Sequence, residues 1–102
     1  MTITKLQAKR LLLADMEQAR QAVARHLHEV PLNPQQHDAL ASFAFNIGGG
    51  AFKDSSVLRH LKAGRVMDAI AVWLTYTRDS FGRIQPGLVK RRRQEVALFL
   101  GV

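Results

Sequence analysis

Apolar residues recur every three or four positions through most of this chain, and this spacing is the strongest constraint on its fold. In the first segment they are Leu6, Leu12, Met16, Ala19, Val23 and Leu27, three or four positions apart from Leu12 onward. Such spacing places side chains on one stripe of a helix. Thr4 and Gln7 form the capping-box pattern that begins a helix, and Pro31 interrupts the pattern. We therefore predict a long helix over residues 5–28.

A second and more apolar helix is predicted directly after this break. Asn33 is a good helix cap, and Pro34 suits the first helical position. The apolar residues of this segment are Ala39, Leu40, Ala41, Phe43, Ala44, Phe45 and Ile47. Because they cover most of the helix surface, we expect the helix to be central and buried. Gly48 opens a run of three glycines that ends the helix and predicts a bend with exposed backbone amides.

The rest of the chain continues in the same way. One short helix is predicted through Leu58 and Leu61, closed by Gly64, and another over residues 66–76, where Trp73 and Tyr76 have core spacing. The last helix is predicted to begin near Leu88. No segment alternates apolar and polar residues as a strand would, and there is no internal repeat. The sequence therefore predicts one all-α domain of five helices over residues 1–102.

Composition excludes several kinds of site. The chain has no cysteine, so disulfides and thiolate metal sites are impossible. Its four histidines lack the spacing of metal ligands, and we predict no metal and no cofactor. The net charge of +7 favours polyanionic partners such as nucleic acid, anionic lipid or an acidic cell-wall polymer. We see no signal-peptide pattern and no apolar run of membrane-spanning length, so we expect a soluble chain made in the cytoplasm.

Three stretches, in order, resemble the phage-type lysozymes of glycoside hydrolase family 24. Residues 32–52, LNPQQHDALASFAFNIGGGAF, are similar to the family pattern L-x-x-x-Q-x-D-A-L-x-S-F-x-F-N-x-G-x-G-x-F. Ser55, Leu58 and Leu61 resemble the next helix, and residues 86–95, PGLVKRRRQE, resemble P-G-L-x-x-R-R-x-x-E. The resemblance implies the helical C-terminal lobe of such an enzyme. Residues 4–29 would be the helix that joins its two lobes, and residues 33–100 the helical core.

The family's catalytic pattern, Glu-x8-Asp-x5-Thr, lies before the joining helix, in a lobe that contains a small β-sheet. We find no such pattern here, so we predict that the catalytic lobe is absent and that no residue of this chain is catalytic. Glu29 and Asp38 are nine positions apart, but Ala44 stands where the threonine would be. We interpret this pair as coincidence. Cleavage of a glycosidic bond needs an acid for the leaving oxygen and a second carboxylate or a positioned water.

The resemblance also implies a set of sugar-binding residues. Phe45, Asn46 and Gly48 correspond to positions that face the sugar cleft, where an aromatic ring and an amide could hold N-acetyl groups. Alternatively, Phe45 belongs to the core and Asn46 caps a helix end. Ser55 and Ser56 could contact the glycan, although helix capping suits their place before a helical run better.

The densest charge is a candidate anion-binding cluster, Lys90, Arg91, Arg92 and Arg93. Cations in the first turn of a helix oppose its dipole, so a sequence that places them there could use them to bind an anion. The alternative is that some of these side chains pair with Glu95 and Asp79, or are solvated.

Three functions remain open at this stage. The first is a truncated or degenerate lysozyme that binds peptidoglycan glycan strands without turnover, made in the bacterial host and acting on the wall once released. The second is an active muramidase completed by a partner chain or a missing segment. The third is a basic nucleic-acid-binding module, which the three glycines after an apolar helix and the family motifs disfavour.

We also expect a homo-oligomer. In the family the enzyme's first helix packs against the helical lobe, so its groove would be open here. We predict that contacts between copies involve Leu11, Leu12, Leu13 and Met16.

Overall fold

The computed structural model describes the backbone of residues 5–102 and the side chains from residue 16 onward. Its helices are α1 (Lys5–His26), α2 (Pro34–Ile47), α3 (Gly49–Lys53), α4 (Ser56–Lys62), α5 (Val66–Trp73) and α6 (Pro86–Leu100). Within residues 5–102 there is no strand, only an isolated antiparallel bridge between Arg78 and Ile84. The all-α prediction is therefore confirmed. Over these same residues, no helix has the length and apolar character needed to cross a membrane.

A sixth helix replaces the bend that the three glycines predicted. Gly48, with φ 93°, ends α2 by donating its N–H to the carbonyl of Ala44 at 2.9 Å. The chain then begins α3 at once, and the N–H of Phe52 donates to the Gly48 carbonyl at 2.9 Å. Phe52 is fully buried. Burial of this ring offsets the entropy lost in ordering glycines, so a helical turn forms where local sequence favours a loop.

Three helix boundaries differ from the predicted ones by two or three residues. α1 ends at His26, two residues early, and α5 ends at Trp73 rather than near residue 76. α6 begins at Pro86 instead of near Leu88. Proline is favourable there because its missing N–H would have no partner in the first helical turn.

The core is built around the aromatic ring of Phe43 on α2. Its centroid lies 6.2 Å from that of Phe52, 5.3 Å from Trp73 and 5.0 Å from Tyr76, while Trp73 also packs on Phe99 at 5.5 Å. α2 therefore packs between α1 and α6, and α5 closes the core. Burial of α2 and packing of Trp73 and Tyr76 are confirmed.

The described part of the α1 stripe also faces this core. Ala19, Val23 and Leu27 are buried, and Met16 is half-buried. The side chains of Leu6 and Leu12 lie outside the described residues.

Candidate functional site

Phe45 stands near the C-terminal end of α2, at the boundary between the core and solvent. It is half-buried and packs against the core cluster. Its neighbours Ala44 and Phe43 are buried, whereas Asn46 is exposed. Successive residues of a helix are rotated by about 100°, so the core, Phe45 and Asn46 occupy successive sectors of the helix surface. The core alternative for Phe45 therefore holds for one part of the side chain, while another part remains accessible.

Two surface recesses meet at the Phe45 side chain. The first, which we call the glycine recess, has a volume of about 220 Å³ and is lined by Gln18, Ala19, Ala22, Phe45, Gly48 and Gly49. The second, which we call the α6 recess, has a volume of about 350 Å³ and is lined by Met16, Ser42, Phe45, Arg91, Gln94, Glu95 and Leu98. Phe45 therefore separates two adjoining depressions between α1, α2 and α6.

The glycine recess has an uncharged lining. An amide side chain (Gln18), an aromatic ring (Phe45) and the exposed backbone of Gly48 and Gly49 meet there. No other heavy atom would lie within 4 Å of a Cβ placed on either glycine, so the space above them is open. Apolar surface with a few amide groups is the lining expected for a neutral polar ligand such as a sugar.

Ser55 is placed away from both recesses. It is 3% exposed and is the N-cap of α4. Its hydroxyl donates to the Phe52 carbonyl at 2.8 Å and accepts from the Leu58 N–H at 3.2 Å. Ser56 accepts a hydrogen bond from Arg59 Nη2 at 2.8 Å. The structure thus does not bring these serines to Phe45, and Ser55 has no accessible hydroxyl for a ligand.

The prediction that Arg92 belongs to an anion-binding cluster is wrong, because this side chain is buried. Its side chain is 1% exposed, its Nε lies 2.8 Å from Glu95 Oε1, and its Nη2 donates to Glu95 Oε2 at 3.0 Å. Burial lowers the pKa of the Arg92 guanidinium, and the Glu95 carboxylate opposes that shift. An anion in solvent cannot reach this group. Lys90, Arg91 and Arg93 are exposed, because neighbouring positions of a helix face different directions.

Glu95 is a buried charged position whose partners sequence reasoning found only in part. Besides the Arg92 pair, its Oε1 accepts from Trp73 Nε1 at 3.1 Å and its Oε2 accepts from Ser42 Oγ at 2.6 Å. The pairing with an arginine was one of the alternatives considered for the basic cluster. Trp73 and Ser42 are 22 and 53 residues away from Glu95, and the sequence around Glu95 gives no indication of these bonds. Together they fix α6 to α2 and α5 behind the α6 recess.

Comparison with known proteins then decides the family. The family model described as phage lysozyme matches residues 1–95. This chain belongs to the phage lysozyme family.

The relatives that this chain matches are longer than the chain itself. It is 41% identical over 98 residues to an endolysin of Bacillus phage B103, covering 96% of this chain and 36% of that protein. It is 41% identical over 100 residues to an endolysin of Salmonella phage P22, covering 98% of this chain and 66% of that protein. Among solved structures, the muramidase domain of SpmX from Asticaccaulis excentricus superposes with a TM-score of 0.84 at 39% identity, covering 96% of this chain and 68% of that one.

The carboxylates whose side chains the structure describes in this lysozyme-family chain do not line the two recesses, with one exception. Glu29 is 87% exposed and lies 3.5 Å from His28 Nε2, and Asp38 is exposed on α2. The exception is Glu95, which is committed to Arg92. The side chain of Asp15 lies outside the described residues. Among side chains that the structure describes, no group of His, Asp and Glu could hold a metal ion.

Proposed function

We propose that this chain is a peptidoglycan-binding lobe of the phage lysozyme family, and that it binds the glycan strand along the surface around Phe45. The ring of Phe45 would contact the apolar face of a sugar. The Asn46 side chain and the backbone at Gly48 would supply hydrogen bonds to N-acetyl groups. This proposal keeps three of the five sugar-binding residues that the resemblance implied and leaves out Ser55 and Ser56.

One observation carries the proposal: two open recesses adjoin at a half-buried aromatic ring. Ligand sites combine an apolar wall with a few polar groups that orient the ligand, and Phe45 packs against the core. A glycan is a chain of linked rings, and two adjoining depressions can accept successive rings. Among the cations of α6, the exposed Arg91 lines the α6 recess and would attract acidic groups of a wall polymer there.

We further propose that the chain alone does not turn over peptidoglycan. A general acid must remain protonated near neutral pH, which requires a partly apolar environment at the cleft. Glu29 and Asp38 are exposed, and Glu95 forms an ion pair with Arg92. Loss of general acid catalysis alone lowers a rate by about 10²–10⁴.

The second candidate is a muramidase completed by another chain or by a further segment. It is favoured by the fact that the chain spans 36% and 66% of the two endolysins above. In that case the same surface would be one wall of an active cleft, and the added part would carry the Glu-x8-Asp-x5-Thr pattern.

The binding proposal is tested with insoluble peptidoglycan. The chain should co-sediment with purified sacculi, and Asn46→Ala should weaken retention about tenfold, as expected for loss of an oriented hydrogen bond and its water exclusion. Phe45→Leu keeps the core contact while removing the aromatic face, and should weaken retention comparably. Met67→Ala, which alters a 72% exposed side chain on α5, is the matched control. Retention that is insensitive to both site variants would overturn the proposal.

The turnover proposal needs a separate assay. Release of reducing sugar from sacculi should stay at the level of buffer alone with the purified chain. Robust release that is abolished by Glu29→Gln, with unchanged circular dichroism, would show that Glu29 and Asp38 had been wrongly dismissed. Activity that appears only when a second polypeptide is added would favour the completed enzyme.

We also propose that copies of this chain associate through the α6 recess. Leu98 there is 41% exposed, and Met16 and Phe45 are half-buried beside it. Apolar side chains gathered in one open recess favour burial against a partner surface. The recess adjoins α1, whose residues Leu11, Leu12 and Leu13 were predicted to take part, although their side chains lie outside the described residues.

A further inference from the structure

The segment between α5 and α6 forms an exposed hairpin that the glycan proposal does not use. Arg78 bridges to Ile84, and the Asp79 N–H donates to the Arg83 carbonyl at 2.9 Å. The tip carries Phe81, which is 79% exposed, and Ile84 is 57% exposed. Leaving a large aromatic side chain in water forgoes one of the larger gains available to a residue.

Hydrogen bonds within the hairpin hold the conformation in which Phe81 and Ile84 are exposed. Asp79 Oδ1 accepts from the N–H groups of Phe81 and Arg83 at 2.9 and 3.0 Å, and Oδ2 accepts from Gln85 Nε2 at 2.6 Å. These bonds lower the pKa of the Asp79 carboxyl, with the bond from the Arg83 N–H as the largest cause. The Arg78 guanidinium donates to the Gly82 carbonyl at 2.8 Å.

One face of α6 continues the apolar surface of the hairpin. Pro86, Val89, Lys90 and Arg93 follow one another at helical spacing, and together with Ile84 they line an open recess of about 410 Å³. Lys90 and Arg93 are exposed and form no salt bridge within the described residues. We call the set Phe81, Arg83, Ile84, Val89, Lys90 and Arg93 the hairpin patch.

The charge of this region is strongly one-sided. Residues 78–93 contain six arginines and lysines, of which Arg92 alone is buried, and a single carboxylate, Asp79. Asp79 accepts from the hairpin's own N–H groups and lies 3.6 Å from Arg83 Nε. The Arg83 guanidinium also stacks over the Phe81 ring, 5.1 Å from its centroid. Apolar side chains and cations are thus interleaved on one exposed surface.

We propose that the hairpin patch binds the surface of an anionic phospholipid membrane. Phe81 and Ile84 enter the boundary between headgroups and acyl chains, while Arg83, Lys90 and Arg93 contact the phosphates. Interfacial binding of this kind gains from buried apolar area and from attraction to anionic lipid together. The patch thus provides a lipid contact in addition to the glycan surface around Phe45, and it does not depend on glycan binding.

Other occupants fit the patch less well. Duplex nucleic acid would satisfy the cations, but it offers nothing to the aliphatic recess of Ile84 and Val89. A second copy docked patch to patch would bring like charges together, which opposes association. A phospholipid surface supplies both the phosphates and the apolar layer.

Vesicle sedimentation tests the proposal with the full chain. The chain should bind vesicles of one part phosphatidylglycerol to three parts phosphatidylcholine, and not vesicles of phosphatidylcholine alone. Phe81→Ser should weaken partitioning about tenfold or more, the value of burying one large apolar side chain. Met67→Ser, which removes a 72% exposed apolar side chain at the other end of α5, should leave partitioning unchanged.

Charge is tested by a matched pair of double variants. Lys90→Gln with Arg93→Gln should weaken partitioning about fivefold for each charge removed. Lys53→Gln with Lys62→Gln removes the same charge from exposed positions on α3 and α4 and should have a much smaller effect. Equal losses in the two double variants would mean that net charge alone drives binding, and would overturn the proposal.

Depth of insertion gives an independent readout. Trp73 is fully buried, so in Phe81→Trp the added indole reports on the hairpin tip. Its emission should shift to the blue on anionic vesicles. The absence of a blue shift would overturn the membrane assignment. It would also be overturned if the Lys90 and Arg93 double variant lost more affinity for duplex DNA than for anionic vesicles. All variants should keep the circular dichroism spectrum of the parent chain because the altered side chains are exposed.

Discussion

Glu95 is the residue on which the interior depends most. It is 4% exposed, and it receives bonds from Arg92, Trp73 and Ser42. Arg92 in turn lies over the Phe43 ring at 5.2 Å. A buried ion pair adds little net stability over a well-packed apolar pair, yet removal of one partner is costly because an uncompensated charge stays buried.

We therefore expect Glu95→Gln to lower the free energy of unfolding by about 3 kcal/mol. Equilibrium urea denaturation measures the loss. Glu17→Gln, which alters an exposed carboxylate of α1, should change stability by less than about 0.5 kcal/mol. The double variant Arg92→Met with Glu95→Met should recover most of the loss, and a double variant as unstable as Glu95→Gln would contradict this account.

His26 makes stability depend on pH. Partial burial, and then the positive charges of Lys62, Arg25 and Lys53, lower its pKa below the usual 6.5. The unfolded chain therefore takes up a proton at a higher pH than the folded one does. Stability from this group is complete above about pH 6.5 and falls as the pH drops toward the folded pKa.

The measurement for His26 is the urea midpoint between about pH 7 and about pH 5. His26→Asn should show a smaller decrease of midpoint over this interval than the parent chain. His28→Asn removes a histidine of the same segment whose side chain is 69% exposed, and it serves as the control. If His26→Asn kept the full decrease, the pH dependence would have to come from another group.

At the scale of elements, capping side chains stabilise the beginnings of α2 and α4. Asn33 Oδ1 accepts from the Gln36 N–H at 2.8 Å, and Gln36 Oε1 accepts from the Asn33 N–H at 3.0 Å, which completes a capping box at α2. Ser55 caps α4 in a similar way through Leu58. These bonds satisfy N–H groups that have no partner within the helix.

Adjacent serines provide a test of capping. Ser55→Ala should lower the free energy of unfolding by about 1 kcal/mol, the usual cost of removing a cap. Ser56→Ala, one residue along, should cost less because its hydroxyl bonds only the exposed Arg59 side chain. Thermal unfolding compares the two. Since Ser55 is buried, Ser55→Ala should also leave retention on sacculi unchanged, and a selective loss of retention would restore its sugar-binding role.

The junction of α2 and α3 allows a similar comparison between glycines. Gly48 has φ 93° and ψ 152°, a conformation open essentially to glycine alone. We expect Gly48→Ala to destabilise the chain by about 1–3 kcal/mol through backbone strain. Gly49 lies in α3, has no positive φ, and has open space where a Cβ would be. The Gly49→Ala variant should therefore be as stable as the parent chain or slightly more stable. Differential scanning calorimetry should separate the two variants, and equal melting temperatures would argue against strain at Gly48.

At the scale of the whole molecule, the proposed glycan surface and the hairpin patch are separate. The glycan surface lies around Phe45 at the junction of α1, α2 and α6. The hairpin patch lies between α5 and α6, at the beginning of α6. Leu98 belongs to the α6 recess, near the end of α6. The α6 recess serves both the glycan proposal and the association proposal. Variants can therefore separate lipid binding from glycan binding, and lipid binding from association.

Association is predicted to depend on the α6 recess. Sedimentation at micromolar concentration should show a dimer or a larger oligomer, and Leu98→Gln should shift it toward the monomer mass of 11.4 kDa. Leu100→Gln is the matched control, because Leu100 is 50% exposed and does not line the recess. A parent chain that sediments as a monomer would mean that the recess needs no partner.

The sequence by itself determined the helical class, the apolar α2 with its Asn33 cap, and the short helix that begins at the Ser55 and Ser56 pair. These features depend on interactions within about one helical turn, and such interactions are present in the order of residues. The family motifs likewise lie in contiguous stretches, so the phage lysozyme resemblance was already complete in the sequence.

Only the tertiary structure decided which polar side chains are buried. Arg92 stands in a run of four cations, and nothing local distinguishes it from Arg91 or Arg93. It is buried because the α6 face that packs on α2 brings it to Glu95, which also binds groups 22 and 53 residues away. α3 exists for the same reason: burial of Phe52 against Phe43 stabilises a turn that glycine disfavours. Burial and pairing depend on contacts between distant segments, and the packed fold alone brings those segments together.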